Sequence, residues 1–256
     1  MRSDSGTPPT PSEGRGGQGK KPAVCWHAFP DATALVERVA EIIAQRLAGA
    51  LRRRGAARLI LSGGTTPQPL HAALARRPLP WEGVTVLPTD ERWVPEDDPR
   101  SNMGAIRRAF AGTPAARARL VPLYLPGCAS PAAALAAGHG ARAELDEPAD
   151  VLVLGMGTDG HVASLFPGID PAMASRPLVA APPAPLPGPD SPPRLSLGLD
   201  VLTAAAVPVL FIRGRDKRRV LEEALASASA ADGGPALPVA LFARRLRRPL
   251  AVCWAP

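Results

Sequence analysis

The segment Gly155-Met156-Gly157-Thr158-Asp159-Gly160-His161 sets an imidazole two residues after a carboxylate on a glycine-rich turn. With an ordinary pKa of about 6.5, a histidine takes up a proton at neutral pH and gives it back, so His161 is a candidate general base and Asp159 its neighbour. His27 in an apolar run, His71 in a helical stretch and His139 between two glycines have no carboxylate so near. The blander role for a single histidine is structural or surface, and residue type alone leaves both open. The segment also contains G-x-G-x-x-G in form. Pro167, however, interrupts the helix that a dinucleotide site needs, and no acidic residue follows a second strand at the required distance.

Two further turns carry residues suited to anions. Ser62-Gly63-Gly64-Thr65-Thr66-Pro67 follows the apolar run Leu59 to Leu61. Glycines let the backbone come close to a ligand, and amides at a helix N-terminus attract phosphate. The alternative is a tight strand-to-helix connection. It is not a P-loop, because the lysine of that motif is absent, and Ser62 lacks the G-x-S-x-G setting of a nucleophile. Thr89-Asp90-Glu91-Arg92-Trp93-Val94-Pro95 offers a metal site, an acid/base pair or a solvated loop. No histidine lies close by for a metal, and Glu96-Asp97-Asp98 reads as solvated surface. Arg92 stands out, since a guanidinium is a permanent cation that grips phosphate through two parallel bonds. Arg194 and Lys217 each read as surface charges when taken singly; they gain weight by converging on the same surface.

These residues need a scaffold, and strand and helix patterns alternate along the chain. Val24 to Phe29 reads as a strand. Asp31 caps a helix whose apolar residues Leu35, Val39, Ile42, Ile43 and Leu47 recur at helical spacing. Leu59 to Leu61 and Val84 to Leu87 read as strands, with a helix opening near Pro67 between them. A helix over Asn102 to Phe110 follows, then a short strand near Val121 and an Ala-rich helix from Pro131 towards Leu145. Val151 to Leu154, Leu195 to Leu199, Val207 to Ile212 and Leu250 to Trp254 complete the strands, with a helix over Arg215 to Ala226. Continuous apolar runs suit strands covered on both faces. The predicted fold is α/β, an open, mostly parallel sheet with crossover helices on both faces in one domain over 23–256. Such sheets bind ligands at the carboxyl ends of their strands, where all three turns fall.

Composition narrows the classes. A hydrophobic content of 46% with 21% charged residues is that of a globular chain able to bury a large core without disulfides. Cys25, Cys128 and Cys253 show no zinc or redox spacing, which points to a reducing, cytoplasmic setting. No apolar run reaches the roughly 18 residues of a membrane span, and no signal-peptide pattern opens the sequence. The net charge of +7 is concentrated at the ends: residues 1–22 carry +2 and Arg244, Arg245, Arg247 and Arg248 carry +4. With a nearly neutral body and 4% aromatics, the chain lacks the basic stripe and stacking residues of a nucleic-acid binder. Residues 1–22, almost without apolar side chains, read as a disordered tail, and Pro182 to Pro193 as an extended loop. Nothing in the pattern marks an apolar interface, so a monomer is expected.

In this order and context, the blocks Ser62 to Pro67, Asp90 to Pro95 with Ser101-Asn102, and Gly155 to Pro167 resemble the 6-phosphogluconolactonase family of the glucosamine/galactosamine-6-phosphate isomerase superfamily. The similarity runs over roughly residues 24–254, and Lys217 matches the lysine of a late Gly-x-x-Lys block. The resemblance implies a Rossmann-like, NagB-type fold and hydrolysis of 6-phospho-D-glucono-1,5-lactone to 6-phospho-D-gluconate, the second oxidative step of the pentose phosphate pathway. By resemblance, His161 is the base with Asp159 beside it. Ser62, Gly63, Gly64, Thr65, Asp90, Arg92, Arg194 and Lys217 then hold the sugar phosphate. Amides of the Gly155 to Gly160 turn are candidate oxyanion donors. An activated lactone carbonyl requires only a base and polarisation, so no metal or organic cofactor is expected. The related deaminases place a Glu five residues after the histidine, before a proline. Phe166 stands there, before Pro167, and a phenyl ring transfers no proton. A non-catalytic phosphosugar-binding protein on the same scaffold is the alternative.

Overall fold

Along the central strands, successive side chains go to opposite covers. Leu59, Leu61, Val151, Val153, Val209 and Phe211 pack into one apolar cluster, while Ile60, Leu152, Leu154, Leu210 and Ile212 pack into another. Such alternation in unbroken apolar runs requires helices on both faces of one sheet. The computed structural model describes residues 23–181, 191–227 and 236–256. The tail expected over 1–22 and all but the end of the Pro182 to Pro193 loop lie outside the described residues.

The order begins β1 (Val24–Ala28), α1 (Ala32–Arg54), β2 (Ala57–Leu61), α2 (Gln68–Ala75), β3 (Val84–Pro88), β4 (Asp90–Arg92), α3 (Asn102–Phe110) and β5 (Arg119–Leu120). It continues through α4 (Pro131–Ala136), β6 (Val151–Leu154), α5 (Pro171–Ala174), β7 (Leu178–Ala181), β8 (Arg194–Leu197) and α6 (Leu199–Ala204). It closes with β9 (Val207–Arg213), α7 (Arg215–Ala226), α8 (Pro238–Arg245) and β10 (Leu250–Ala255). Seven strands form a parallel sheet in the order β1-β10-β9-β6-β2-β3-β5, and β4, β8 and β7 form a small antiparallel sheet. Helix α1 starts as its sequence dictates, with Asp31 Oδ1 accepting from the Ala34 amide at 2.8 Å. Its apolar stripe of Leu35, Val39, Ile43 and Leu47 is fully covered where α1 packs on α2 and on strands β2, β10 and β6.

The direction of connection reverses between β2 and β6: β3 and β5 are added on one side of that pair, β9 and β10 on the other. The carboxyl ends of strands part at such a point and leave a crevice. Three expectations are corrected here. The helix from Pro131 ends at Ala136, because Gly138 turns the chain with φ +74°, and residues 140–145 form a separate 3-10 turn. The strand expected over Leu195 to Leu199 starts at Arg194 and stops at Leu197, after which Leu199 opens α6; it belongs to the small sheet, not the parallel one. Short antiparallel β4 and β7, and helix α8, are additional elements that the apolar pattern did not mark.

Candidate active site

A cleft of about 230 Å³ opens over the parting of β2 and β6. It is lined by the loop after β2, by Thr89, Asp90 and Arg92 beyond β3, by Gly155 to Gly157 and His161 beyond β6, and by Arg194 and Lys217. Of the predicted site residues only Asp159 is absent from the lining; it stands behind His161 and is in contact with it.

His161 Nδ1 lies 2.6 Å from Asp159 Oδ1, and the same oxygen accepts from the His161 amide at 3.1 Å. A carboxylate on Nδ1 requires the proton there, which leaves Nε2 as the lone-pair nitrogen. The turn that permits this contact is short: the Gly157 amide donates to the His161 carbonyl at 3.0 Å and the Gly160 amide to the Gly157 carbonyl at 3.1 Å. A Cβ at Gly157 would fall on the His161 ring and on Asp159 Oδ1, so this position must be glycine for the pair to close. Because the amides of Gly157 and Gly160 are engaged within the turn, they are removed from the expected set of oxyanion donors. Phe166 packs on the His161 ring with centroids 5.0 Å apart, and the Arg194 guanidinium lies 5.8 Å from the Phe166 ring centre.

The cations Arg92, Arg194 and Lys217 line the same cleft. In the β4–β8 register Arg92 stands directly across from Arg194. Like charges at facing positions of an antiparallel pair repel. Burial first, and then the Arg92 charge, holds the Arg194 guanidinium below its ordinary pKa, partly offset by Asp90. Burial also depresses Lys217. Among the described residues no carboxylate is within ion-pair distance of Arg194 or Lys217, and the Nε atoms of Arg92 and Arg194 and the Ser62 hydroxyl are buried without a partner. A buried polar atom without a partner costs free energy, so this group is built to meet something the protein does not supply. Three cations and a hydroxyl around one cleft select an anionic, oxygen-rich ligand.

The Asp90-Glu91-Arg92 turn is neither an acid/base pair nor a solvated loop. Glu91 is fully buried, and its carboxylate accepts from the amides of Arg92, Asn102 and Met103 and from Ser101 Oγ, at 2.7 to 3.0 Å. Burial pushes this carboxyl up while the four donors pull it down. It functions as a lock on the start of α3. That lock places Asn102, whose Oδ1 accepts from Arg92 Nη1 at 3.1 Å and whose Nδ2 donates to the Asp90 carbonyl at 2.7 Å. Asn102 in turn sits where a Cβ of Gly63 would be, which explains a glycine in the loop after β2. Asp90 lines the cleft, but its oxygens already accept from Thr89 Oγ1 at 2.8 Å and Ser164 Oγ at 2.6 Å. Asp98 and Glu96 form exposed pairs with Arg100 and Arg107, in keeping with a solvated segment. Glu91, Asn102 and Ser164 were missed as site residues. The helix start at Asn102 was expected from the sequence, but nothing local to Asn102 points to Arg92 and nothing local to Ser164 points across to Asp90.

No helix among the described residues is long and apolar enough to cross a membrane. The family model described as glucosamine-6-phosphate isomerases/6-phosphogluconolactonase matches residues 30–250. A 6-phosphogluconolactonase of Rhizobium meliloti (strain 1021) is 40% identical over 238 residues, which cover 90% of this chain and 98% of that one. One of Pseudomonas aeruginosa is 43% identical over 218 residues, covering 84% and 87%. The crystal structure of a 6-phosphogluconolactonase from Shewanella baltica OS155 superposes with a TM-score of 0.82 at 29% identity, covering 94% of this chain and all of that one. Since the family match runs through almost the whole described region, and relatives well above 30% identity are spanned nearly end to end, the chain belongs to the glucosamine-6-phosphate isomerase/6-phosphogluconolactonase family.

Proposed function

We propose that this protein is a 6-phosphogluconolactonase that hydrolyses 6-phospho-D-glucono-1,5-lactone to 6-phospho-D-gluconate. The observation that carries the reading is the pairing, in one cleft, of an imidazole oriented by a carboxylate with three half-buried cations that have no carboxylate partner among the described residues. Arg92, Arg194 and Lys217 take the phosphate, with the loop from Ser62 to Thr65 closing on it. Its binding energy holds the ring carbonyl against His161. His161 Nε2 removes a proton from water as the water oxygen bonds to C1. The C1–O5 bond then breaks, and the same proton goes to O5, leaving the open-chain acid. Asp159 keeps the proton on Nδ1 before the transfer and stabilises the imidazolium during it, the part a carboxylate plays behind a catalytic histidine. Asp90 serves through its bonds to Thr89 and Ser164.

Phe166 beside His161 supplies no second proton-transfer group, which favours hydrolysis over an amino-sugar-phosphate isomerase reaction. The setting we propose is the cytoplasm, where Cys25, Cys128 and Cys253, all unpaired, stay reduced, and the working form a monomer without nucleic-acid or membrane partners. The test compares lactone loss above the spontaneous background for the phosphorylated lactone and for phosphate-free glucono-1,5-lactone. Strong acceleration of the first and weak acceleration of the second is expected. Equal acceleration of both would remove the anion site from the account, and no acceleration of either would reduce the protein to a phosphosugar binder.

A further inference from the structure

The β4–β8 ribbon presents two rungs on one face. Arg92 faces Arg194, and two residues away Asp90 faces Ser196. Alternate residues of a strand share a face, and two residues of strand span about 6.6 Å. The first rung is the facing cation pair, whose Nε atoms are buried without a partner. The second grips the turn that follows the base: Ser164 Oγ donates to Asp90 Oδ2 at 2.6 Å, and the Ser164 amide donates to Ser196 Oγ at 3.1 Å. Ser164 is fully buried, and a short hydroxyl-to-carboxylate bond out of water is among the stronger single contacts a protein can make.

The gripped turn is itself strained. Val162 and Leu165 bridge across Ala163 and Ser164, with the Leu165 amide donating to the Val162 carbonyl at 2.9 Å. Ala163 adopts φ +50°, the one non-glycine in the left-handed region among the described residues, and it lines the cleft. A non-glycine residue persists there only where its surroundings over-determine it, and such outliers gather at functional sites. The over-determination here is the pair of bonds at Ser164, three residues after His161.

Building on the lactonase reading above, we propose that Asp90, Ser164 and Ser196 are positioning residues that clasp the His161 turn to the phosphate-anchoring ribbon, so that the ribbon acts as a ruler between anion and base. The ruler matters only for a substrate tied to both ends. A substrate without phosphate is not referred to the cation rung, and gains nothing from the fixed separation.

The test is Ser164→Ala, which removes the hydroxyl donor and leaves the amide bond to Ser196. Arg92, Arg194 and Lys217 are untouched, so the KM for phosphorylated lactone and the Kd for inorganic phosphate are expected to stay within about twofold. Displacement of reacting groups by an ångström costs on the order of 10²-fold, so kcat for the phosphorylated lactone is expected to fall about 10- to 100-fold. The weak turnover of phosphate-free lactone is expected to change by less than about threefold, because the His161–Asp159 pair survives. Asp90→Asn keeps an acceptor for Ser164 and is expected to retain most of the rate. Asp90→Ala should reproduce Ser164→Ala, and the double variant should be no worse than either. If Ser164→Ala does not fold, Ser164→Cys, similar in shape with a weak donor, is read in the same way. If the parent leaves phosphate-free lactone at background, kcat against phosphate affinity decides. A kcat unchanged by loss of the hydroxyl, or an equal fall for both lactones, overturns the ruler, whereas a parent inactive on the phosphorylated lactone overturns the lactonase reading first.

Discussion

Replacing His71 by Phe is expected to flatten the acid side of the stability curve. His71 lies on α2, 1% exposed, close to the Ser62 backbone but without a well-formed hydrogen bond to it, and neither ring nitrogen has a partner. Burial pushes its pKa down from 6.5 to about 4. Above pH 6.5 the imidazole is neutral in both the folded and unfolded chains and contributes no pH dependence. Below it the unfolded chain takes up a proton that the folded chain refuses, so stability is lost as pH falls. At about 1.4 kcal/mol per pH unit, the loss is about 2 kcal/mol at pH 5, 1.5 units below the unfolded pKa. It approaches about 3 kcal/mol near pH 4, where the folded ring begins to titrate. A phenyl ring fills the same space and takes no proton. Urea unfolding of parent and His71→Phe protein at pH 7.5, 6 and 5 gives the difference directly, because every other titrating group is common to both. The variant is expected to gain about 2 kcal/mol relative to the parent between pH 7.5 and 5. Parallel stability curves, within about 0.5 kcal/mol, would show that His71 is solvated or partnered and refute the burial reasoning.

Three other substitutions probe separate parts of the site. Gly157→Ala puts a methyl group where the His161 ring lies and is expected to lower kcat about 10²- to 10⁴-fold, the share of a general base, with KM little changed in steady-state assays. Glu91→Gln turns an amide NH₂ toward backbone N–H donors; a loss of about 1 to 3 kcal/mol in urea unfolding is expected, with a raised KM as Asn102 and Arg92 shift. Arg194→Ala removes one of two facing like charges, so the ligand-free melting temperature is expected to hold or rise. KM is expected to climb by the roughly 1.5 to 3 kcal/mol of a charge-assisted contact.

The parallel sheet was largely legible because its strands are apolar on both faces. Leu59 to Leu61, Val84 to Leu87, Val151 to Leu154, Val207 to Ile212 and Leu250 to Trp254 all lie within observed strands. Helix α1 was equally open to reading, with period and cap in agreement. The small sheet was not, since Asp90, Arg92 and Arg194 line a cleft and Ser196 is buried across from Asp90, and hydrophobic alternation carries no sign of that. For the same reason the neighbourhood of His161 and Asp159 was legible but the support of their turn was not. His161 and Asp159 are two residues apart in sequence, whereas Ser164 meets Asp90 across 74 residues. Glu91 was open to metal, acid/base and solvated readings alike, because the buried amides it satisfies come from a helix start eleven residues on. Arg194 and Lys217, individually unremarkable as charges, acquire meaning only from the fold that brings them, half-buried, to one cleft.

The central claim is that His161, oriented by Asp159, is the base for a lactone held by its phosphate. The most direct test generates the phosphorylated lactone in place at pH near 7, from glucose 6-phosphate and a dehydrogenase, and follows its loss with parent and His161→Ala protein side by side. The account predicts acceleration by the parent that drops about 10²- to 10⁴-fold in the variant, with the phosphate affinity of the variant intact. A folded variant that still turns over the lactone at near-parent rate would contradict it.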